Sequence, residues 1–313
     1  MNKTLALLFL AGIIFCVPKA EAQSARISGN AKTYSGDTLR FYKYADFLTK
    51  EKVTVAKAFV DSAGYFSCRP SLDAVTELRI DLDVFEGILY VEPNSDLQIT
   101  LPKKTQKLQE DALNPFFRAQ EFYIKVLNAD ENTINPNLMK FEQMYGKLIP
   151  NLFEGTAGKV NSLKADGLFS AIEDSFAHIP NTFLNNYIKY DLVQLRFVAY
   201  KRDKDKIFNT YFSDSTVLFD NNAYNRALYD IFKSYLSNNK KIGINGGLYG
   251  DKNFGIMVST VQKELNFENS ELAEYLLLIN IYEKFYVDNG LKKTIIDYLK
   301  KHRSEIKKTR RLD

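Results

Sequence analysis

An α+β fold is predicted, with an N-terminal antiparallel β-sandwich over residues 23–105 followed by an all-α helical domain over residues 106–303. Three observations predict it. Apolar and polar residues alternate from Ser24 to Pro102, and the spacing turns helical after Pro102. A chain of 313 residues with 45% hydrophobic and 13% aromatic side chains also has material for a sizeable core in two domains.

In the β region Leu39 and Phe41, then Val53 and Val55, then Leu78, Ile80, Leu82 and Val84, then Leu97, Ile99 and Leu101 alternate with polar residues. That is the pattern of half-buried strands. Turn signals separate the runs at Tyr34-Ser35-Gly36-Asp37, Asp61-Ser62-Ala63-Gly64, Phe85-Glu86-Gly87 and Pro93-Asn94-Ser95-Asp96. Their spacing predicts about seven strands.

The helical region is read from caps and stripes. A helix over Leu113 to Leu127 is expected, with Asn114-Pro115 as its start. Pro180-Asn181 opens another, in which Phe183, Tyr187, Tyr190 and Phe197 form one apolar stripe beside Leu184, Ile188, Leu192 and Leu195. Ser270 is the expected cap of a third, with Leu272, Tyr275, Leu276 and Ile279 on its apolar side and Glu271 and Glu274 in its first turn.

The first 22 residues read as a signal peptide: Lys3, an apolar run from Leu5 to Val17, and Ala20-Glu21-Ala22 as a cleavage signal. Cleavage after Ala22 and a periplasmic mature protein are the expectation. The run is shorter than the roughly 20 apolar residues of a transmembrane helix, and no later segment is more apolar. Phe15 precedes Cys16 where a lipoprotein box requires a small side chain, which favours a soluble mature chain. Cys68 is then the one remaining cysteine, and it reads as a small core residue of a strand.

Candidate chemistry is sparse. Net charge is +4, from 42 basic and 38 acidic residues, a balance that argues against a nucleic-acid partner. His178 and His302 lack the spacing of metal or triad partners, and no HExxH, GxSxG or CxxC is found. No catalytic, cofactor-binding or metal-binding residue is therefore assigned, and no cofactor. The stretch Gly243-Ile244-Asn245-Gly246-Gly247-Leu248-Tyr249-Gly250 lacks the Gly-Lys-Ser/Thr ending of a phosphate loop and reads as a helix-ending linker. Lys300-Lys301-His302-Arg303, continuing into a basic tail over 304–313 through Lys307-Lys308 and Arg310-Arg311, reads as a solvated helix end that could touch acidic lipid or a partner. The acid pairs Glu173-Asp174 and Asp81/Asp83 have the spacing of surface faces.

A resemblance adds to this. Asp61-Ser62-Ala63-Gly64-Tyr65-Phe66, Leu78-Arg79-Ile80-Asp81 and Leu89-Tyr90-Val91-Glu92-Pro93-Asn94-Ser95-Asp96-Leu97-Gln98-Ile99-Thr100-Leu101-Pro102 resemble the N-terminal β-domain of exported thioredoxin-like (TlpA-type) thiol:disulfide oxidoreductases of Gram-negative bacteria. Leu113-Asn114 and Pro180-Asn181-Thr182-Phe183 resemble features of the helical region that follows in that family. The family's catalytic part is a C-terminal thioredoxin fold with a CxxC, for which this sequence has no counterpart, so no catalytic residue carries over. What the resemblance implies is a stand-alone accessory region, or the non-catalytic half of a split or truncated oxidoreductase. The function expected from all of this is a non-enzymatic periplasmic accessory or protein-binding protein of the cell envelope. Its partner would be an envelope protein or a thioredoxin-like protein.

Overall fold

Period-two alternation yields strands in the first part of the chain and helical spacing yields helices after it, so the class is α+β. The computed structural model describes residues 23–154, 159–160, 162–213, 216–235, 254–287, 289 and 292–301. The signal segment, Gly243–Gly250, His302 and the tail over 304–313 lie outside the described residues.

The strands that precede the main helices are β1 (Gln23–Ser24), β2 (Arg26–Asn30), β3 (Thr38–Tyr44), β4 (Lys52–Phe59), β5 (Tyr65–Cys68), β6 (Ser71–Leu72), β7 (Thr76–Leu82), β8 (Phe85–Val91), β9 (Asp96–Thr100) and β10 (Gln120–Tyr123), and a short antiparallel ladder of Phe153–Glu154 with Lys159–Val160 follows later. They form a five-stranded sheet in the order β10-β8-β7-β3-β4, a three-stranded sheet in the order β5-β2-β9, and a ladder of β1 with β6. The all-antiparallel expectation is corrected: β2 pairs parallel with β9, and β8 pairs parallel with β10, so both larger sheets are mixed. The reason lies in the connections. A hairpin must reverse direction, whereas the turn after β8, with Asn94 at φ 62°, carries the chain out of one sheet and into the other, where β9 runs alongside β2.

Two further expectations are corrected. Phe85-Glu86-Gly87 is not a turn but the start of β8. The reversal sits at Asp83-Val84, with Asp83 at φ 58°. Gly87 serves close packing instead, since a Cβ there would lie 2.8 Å from Ile124 Cδ1 and 2.9 Å from Ile80 Cγ2. The helix expected over Leu113 to Leu127 does not form either. Only a short α1 (Gln109–Leu113) appears before β10. Asn114 takes the extended conformation that Pro115 imposes on it (ψ 109°), and its Oδ1 accepts from the Phe116 amide at 2.9 Å. Beyond it, Phe122 and Ile124 face the β core while Glu121 and Tyr123 face away from it.

The helices that follow are α2 (Ile134–Leu152), α3 (Ser162–Phe176), α4 (Thr182–Ala199), α5 (Lys204–Tyr211), α6 (Asn222–Phe232), α7 (Phe254–Leu265), α8 (Ser270–Val287) and α9 (Lys292–Lys301). The expected start of α4 is found: Asn181 accepts from the Leu184 amide at 2.9 Å, and Leu184, Tyr187, Ile188, Tyr190 and Leu192 are buried. At α8 the cap is Asn269 rather than Ser270, accepting from Glu271 and Leu272 at 3.0 and 3.1 Å.

The two apolar clusters meet on β8. Leu89 and Val91 point inward to the cluster that Ile27, Phe66 and Ile99 of the three-stranded sheet share with Phe41, Leu78 and Ile80 of the five-stranded sheet. Ile88 and Tyr90, on the opposite face, join the cluster built by the helices. Tyr90 is buried with its ring centroid 5.7 Å from Phe183 and 6.1 Å from Tyr187. The helices thus pack on the outer face of the five-stranded sheet. Asn181 Nδ2, donating to Glu92 just beyond β8 at 2.9 Å, ties the start of α4 to the same place.

Candidate interaction surface

Alternation along β3, β7, β8 and β10 places Tyr42, Tyr44, Glu77, Arg79, Asp81, Glu86 and Glu121 on the outer sheet face. Pairing sets Asp81 opposite Glu86, and Glu86 opposite Glu121, a row of three acids across adjacent strands. Such a row is unfavourable unless cations answer it. Arg79 does so: Nε donates to Glu77 at 2.7 Å, and Nη1 donates to Glu86 at 3.1 Å and to Glu121 at 2.7 Å. Lys52 sits 2.9 Å from Asp81 at the open end of the row.

Electrostatics follow from burial and partners. Burial alone opposes the Arg79 charge, but the carboxylates, Glu77 foremost, more than compensate and hold it cationic. For Glu86, burial favours the neutral acid, yet hydrogen bonds from Tyr42 and Arg79 outweigh it and keep its carboxyl below the usual range. The Tyr44 hydroxyl is pushed up to about 12, first by burial and then by Glu86, against the opposing pull of Arg79. The network continues inward, where Tyr90 donates to Glu77 at 2.7 Å and Asn222 of α6 also donates to Glu77. A cavity of about 40 Å³ beside Tyr44, Phe47, Glu77 and Asn222 has room for a water molecule and no substrate.

Deeper in the helical layer, Tyr123 and Tyr187 donate to Glu142 at 3.2 and 3.0 Å, and Arg226 pairs with Asp191 at 2.5 Å. Burial pushes the Asp191 carboxyl up while Arg226 pulls it back. These groups fasten α2, α4, α6 and β10 to one another. An open cleft of about 540 Å³ beside Asn209, Phe267 and Glu268 brings no charges together among the described residues, and its Asn269 is engaged in capping α8.

The residues singled out in the sequence are dispersed. Asp81 lies in the acid row, bonded to Tyr42 and Lys52, whereas Asp83 is in the turn. Glu173 forms a two-pronged pair with Arg196 at 2.9 and 2.8 Å, and Asp174 is exposed. His178 is exposed between α3 and Pro180. Among the described residues no group of three or more His, Cys, Asp or Glu is placed to hold a metal ion.

Cys68 is buried on the same face as Phe66. Burial pushes its thiol from 9.0 up to about 11, so roughly 100-fold less thiolate is present at pH 8. Iodoacetamide is accordingly expected to alkylate the native chain at least about 100-fold more slowly than the urea-unfolded chain. Insulin should not be reduced by either the native protein or Cys68→Ser. Rapid native alkylation, or turnover that disappears in Cys68→Ser, would mean that this thiol is reactive.

The described surface also carries exposed large apolar side chains. Between β9 and β10 the connector over residues 103–118 carries Leu108, Leu113 and Phe116 at 68%, 76% and 85% exposure. Three such side chains within nine residues are a concentration that scattered surface apolars do not produce. The connector is held at its base, where the Lys104 amide donates to Thr33 at 3.0 Å and its ammonium meets Asp37 at 2.7 Å. At its far end the Gln120 amide bonds the Val84 carbonyl at 2.9 Å. It therefore crosses the end of the five-stranded sheet as an anchored span with Leu108, Leu113 and Phe116 outward and Phe117 half-buried.

Sequence reasoning missed both features. The Arg79–Asp81–Asp83 alternation signalled a polar strand face, but the convergence of Glu77, Glu86 and Glu121 depends on pairings that only the fold supplies. The connector was concealed by its resemblance to a capped helix. No protein-family model and no curated protein matches the chain.

Proposed function

We propose that this chain is an exported, non-enzymatic accessory protein of the Gram-negative cell envelope that acts by binding another envelope protein through the connector over residues 103–118. The observation that carries the reading is the exposure of Leu108, Leu113 and Phe116 on an anchored span. The titratable groups of the sheet face favour it as well, since Arg79, Glu77 and Glu86 bond one another rather than an open site. The resemblance of the β region to that of TlpA-type proteins makes a thioredoxin-like protein the first partner to look for.

Affinity capture of the tagged mature protein from detergent-solubilised envelope extract tests this when run beside Leu113→Ser/Phe116→Ser. Burying those two side chains against a partner contributes about 3 kcal/mol or more, so the variant should recover the partner roughly 100-fold less well while melting at the same temperature. Recovery of the protein alone, or equal recovery of the same partner by the variant, would remove the basis of the reading.

A further inference from the structure

Charge is unevenly distributed along the chain. Residues 292–313 hold nine Lys or Arg against three Asp or Glu, a net +6; the whole chain carries +4, so residues 1–291 net −2. The described part of this basic stretch is α9, which contributes Lys292, Lys293, Lys300 and Lys301 against a single acid, Asp297. Ile295 is buried at 1% exposure and seats α9 against the body, leaving Lys293, Ile296 and Lys300 toward solvent.

Aromatic side chains at the end of α8 adjoin the first of these lysines, Lys292. Tyr282 and Tyr286 lie 4.8 Å apart between centroids with their planes tilted by 53°, Phe285 lies 5.2 Å from Tyr286, and the Lys292 ammonium is 5.5 Å from the Phe285 ring centroid. Tyr286 and Val287 are 61% and 69% exposed. Outward aromatic and aliphatic groups thus stand next to a cationic helix.

We propose that α9 and the end of α8 dock on an anionic phospholipid surface, with the lysines against phosphate headgroups and Tyr286, Val287 and Ile296 in the interfacial layer. Charge alone would suit any polyanion, and the apolar groups decide among them. A tyrosine ring is amphipathic at headgroup depth, and valine gains from leaving water among acyl chains, whereas a nucleic-acid backbone rewards neither. Attachment is peripheral, because no helix among the described residues is long and apolar enough to cross a membrane. Each lysine held near an anionic surface changes the partition coefficient about fivefold, an effect that salt screens. The inference concerns a surface other than the 103–118 connector and does not depend on it.

Cosedimentation of the mature chain with phosphatidylcholine vesicles, with and without phosphatidylglycerol, tests the proposal. Pelleting is expected only with the phosphatidylglycerol vesicles and should reverse as salt is raised. Lys292→Glu/Lys293→Glu/Lys300→Glu should lower the partition by on the order of 100-fold or more. Tyr286→Ser/Val287→Ser should lower it roughly tenfold with the salt dependence retained. Should the triple variant fail to fold, the salt response of the unmodified chain and the second variant decide the matter. Equal binding to neutral vesicles, no pelleting with anionic ones, an unchanged partition in a folded variant, or a preference for single-stranded DNA or polyglutamate over vesicles would overturn it.

Discussion

Replacing Arg79 with Met is expected to destabilise the protein by about 3–5 kcal/mol at pH 7, because it leaves carboxylates on a largely enclosed face without their cation. Glu77 and Glu86 are only 9% and 14% exposed and hold most of the effect, while Glu121, at 57%, is open to water and contributes little. The dependence on pH distinguishes this cause from lost packing. In the unmodified protein Glu86 titrates below its ordinary range. Its contribution is therefore complete above the unfolded-state value of about 4.3 and declines as pH falls through the lower folded-state value. Without Arg79, burial tips Glu86 toward its protonated form, so the variant should gain stability on acidification from pH 7 toward 5. Urea denaturation at several pH values is the measurement: the deficit should shrink as pH falls, and a deficit below 1 kcal/mol or one indifferent to pH would refute the role given to Arg79.

Asn135→Leu should cost about 2–5 kcal/mol for a different reason. Along β8, the partner strand β10 reaches Tyr123, and the Ile124 amide still bonds the Ile88 carbonyl at 2.9 Å before the chain turns away. Tyr90, paired with Glu77 of β7 on its other side, then has no strand beside it on this edge. Its amide donates to Asn135 Oδ1 at 3.0 Å, and its carbonyl accepts from Asn135 Nδ2 at 2.8 Å, so one side chain of α2 replaces the missing strand residue. Leucine is close in volume but can satisfy neither group, and each buried orphan costs about 1–3 kcal/mol. Asn135→Asp should fall between the two, since it retains the acceptor and lacks the donor. Urea melts of the three proteins check the order; a leucine variant as stable as the parent would show that water reaches Tyr90.

Local signals in the sequence were sufficient wherever the determining interaction is local. The alternation of Leu97 and Ile99 placed β9, and Asn181 announced α4 because its side chain closes a hydrogen bond three residues onward. Expectations failed where tertiary pairing decides. Gly87 reads as a turn residue, yet the close approach of Ile124 explains it. Asn114-Pro115 reads as a helix start, but β10 is a short strand whose parallel alignment on β8 cannot be seen in its own residues. The parallel pairing of β2 with β9 is equally invisible, being a product of how the chain changes sheets. The interaction surface shares this limit: Leu113 and Phe116 fall in the segment that reads as a helix, and the exposure of Leu108, Leu113 and Phe116 is visible only in the fold.

The most direct test of binding through the connector is photo-crosslinking in living cells with benzoylphenylalanine in place of Phe116, compared with the same residue at the exposed position Asp174 on α3. A discrete adduct of the chain with one envelope protein is expected from position 116 and not from position 174. No adduct at 116, or the same adducts from both positions, would contradict a specific docking role for residues 103–118.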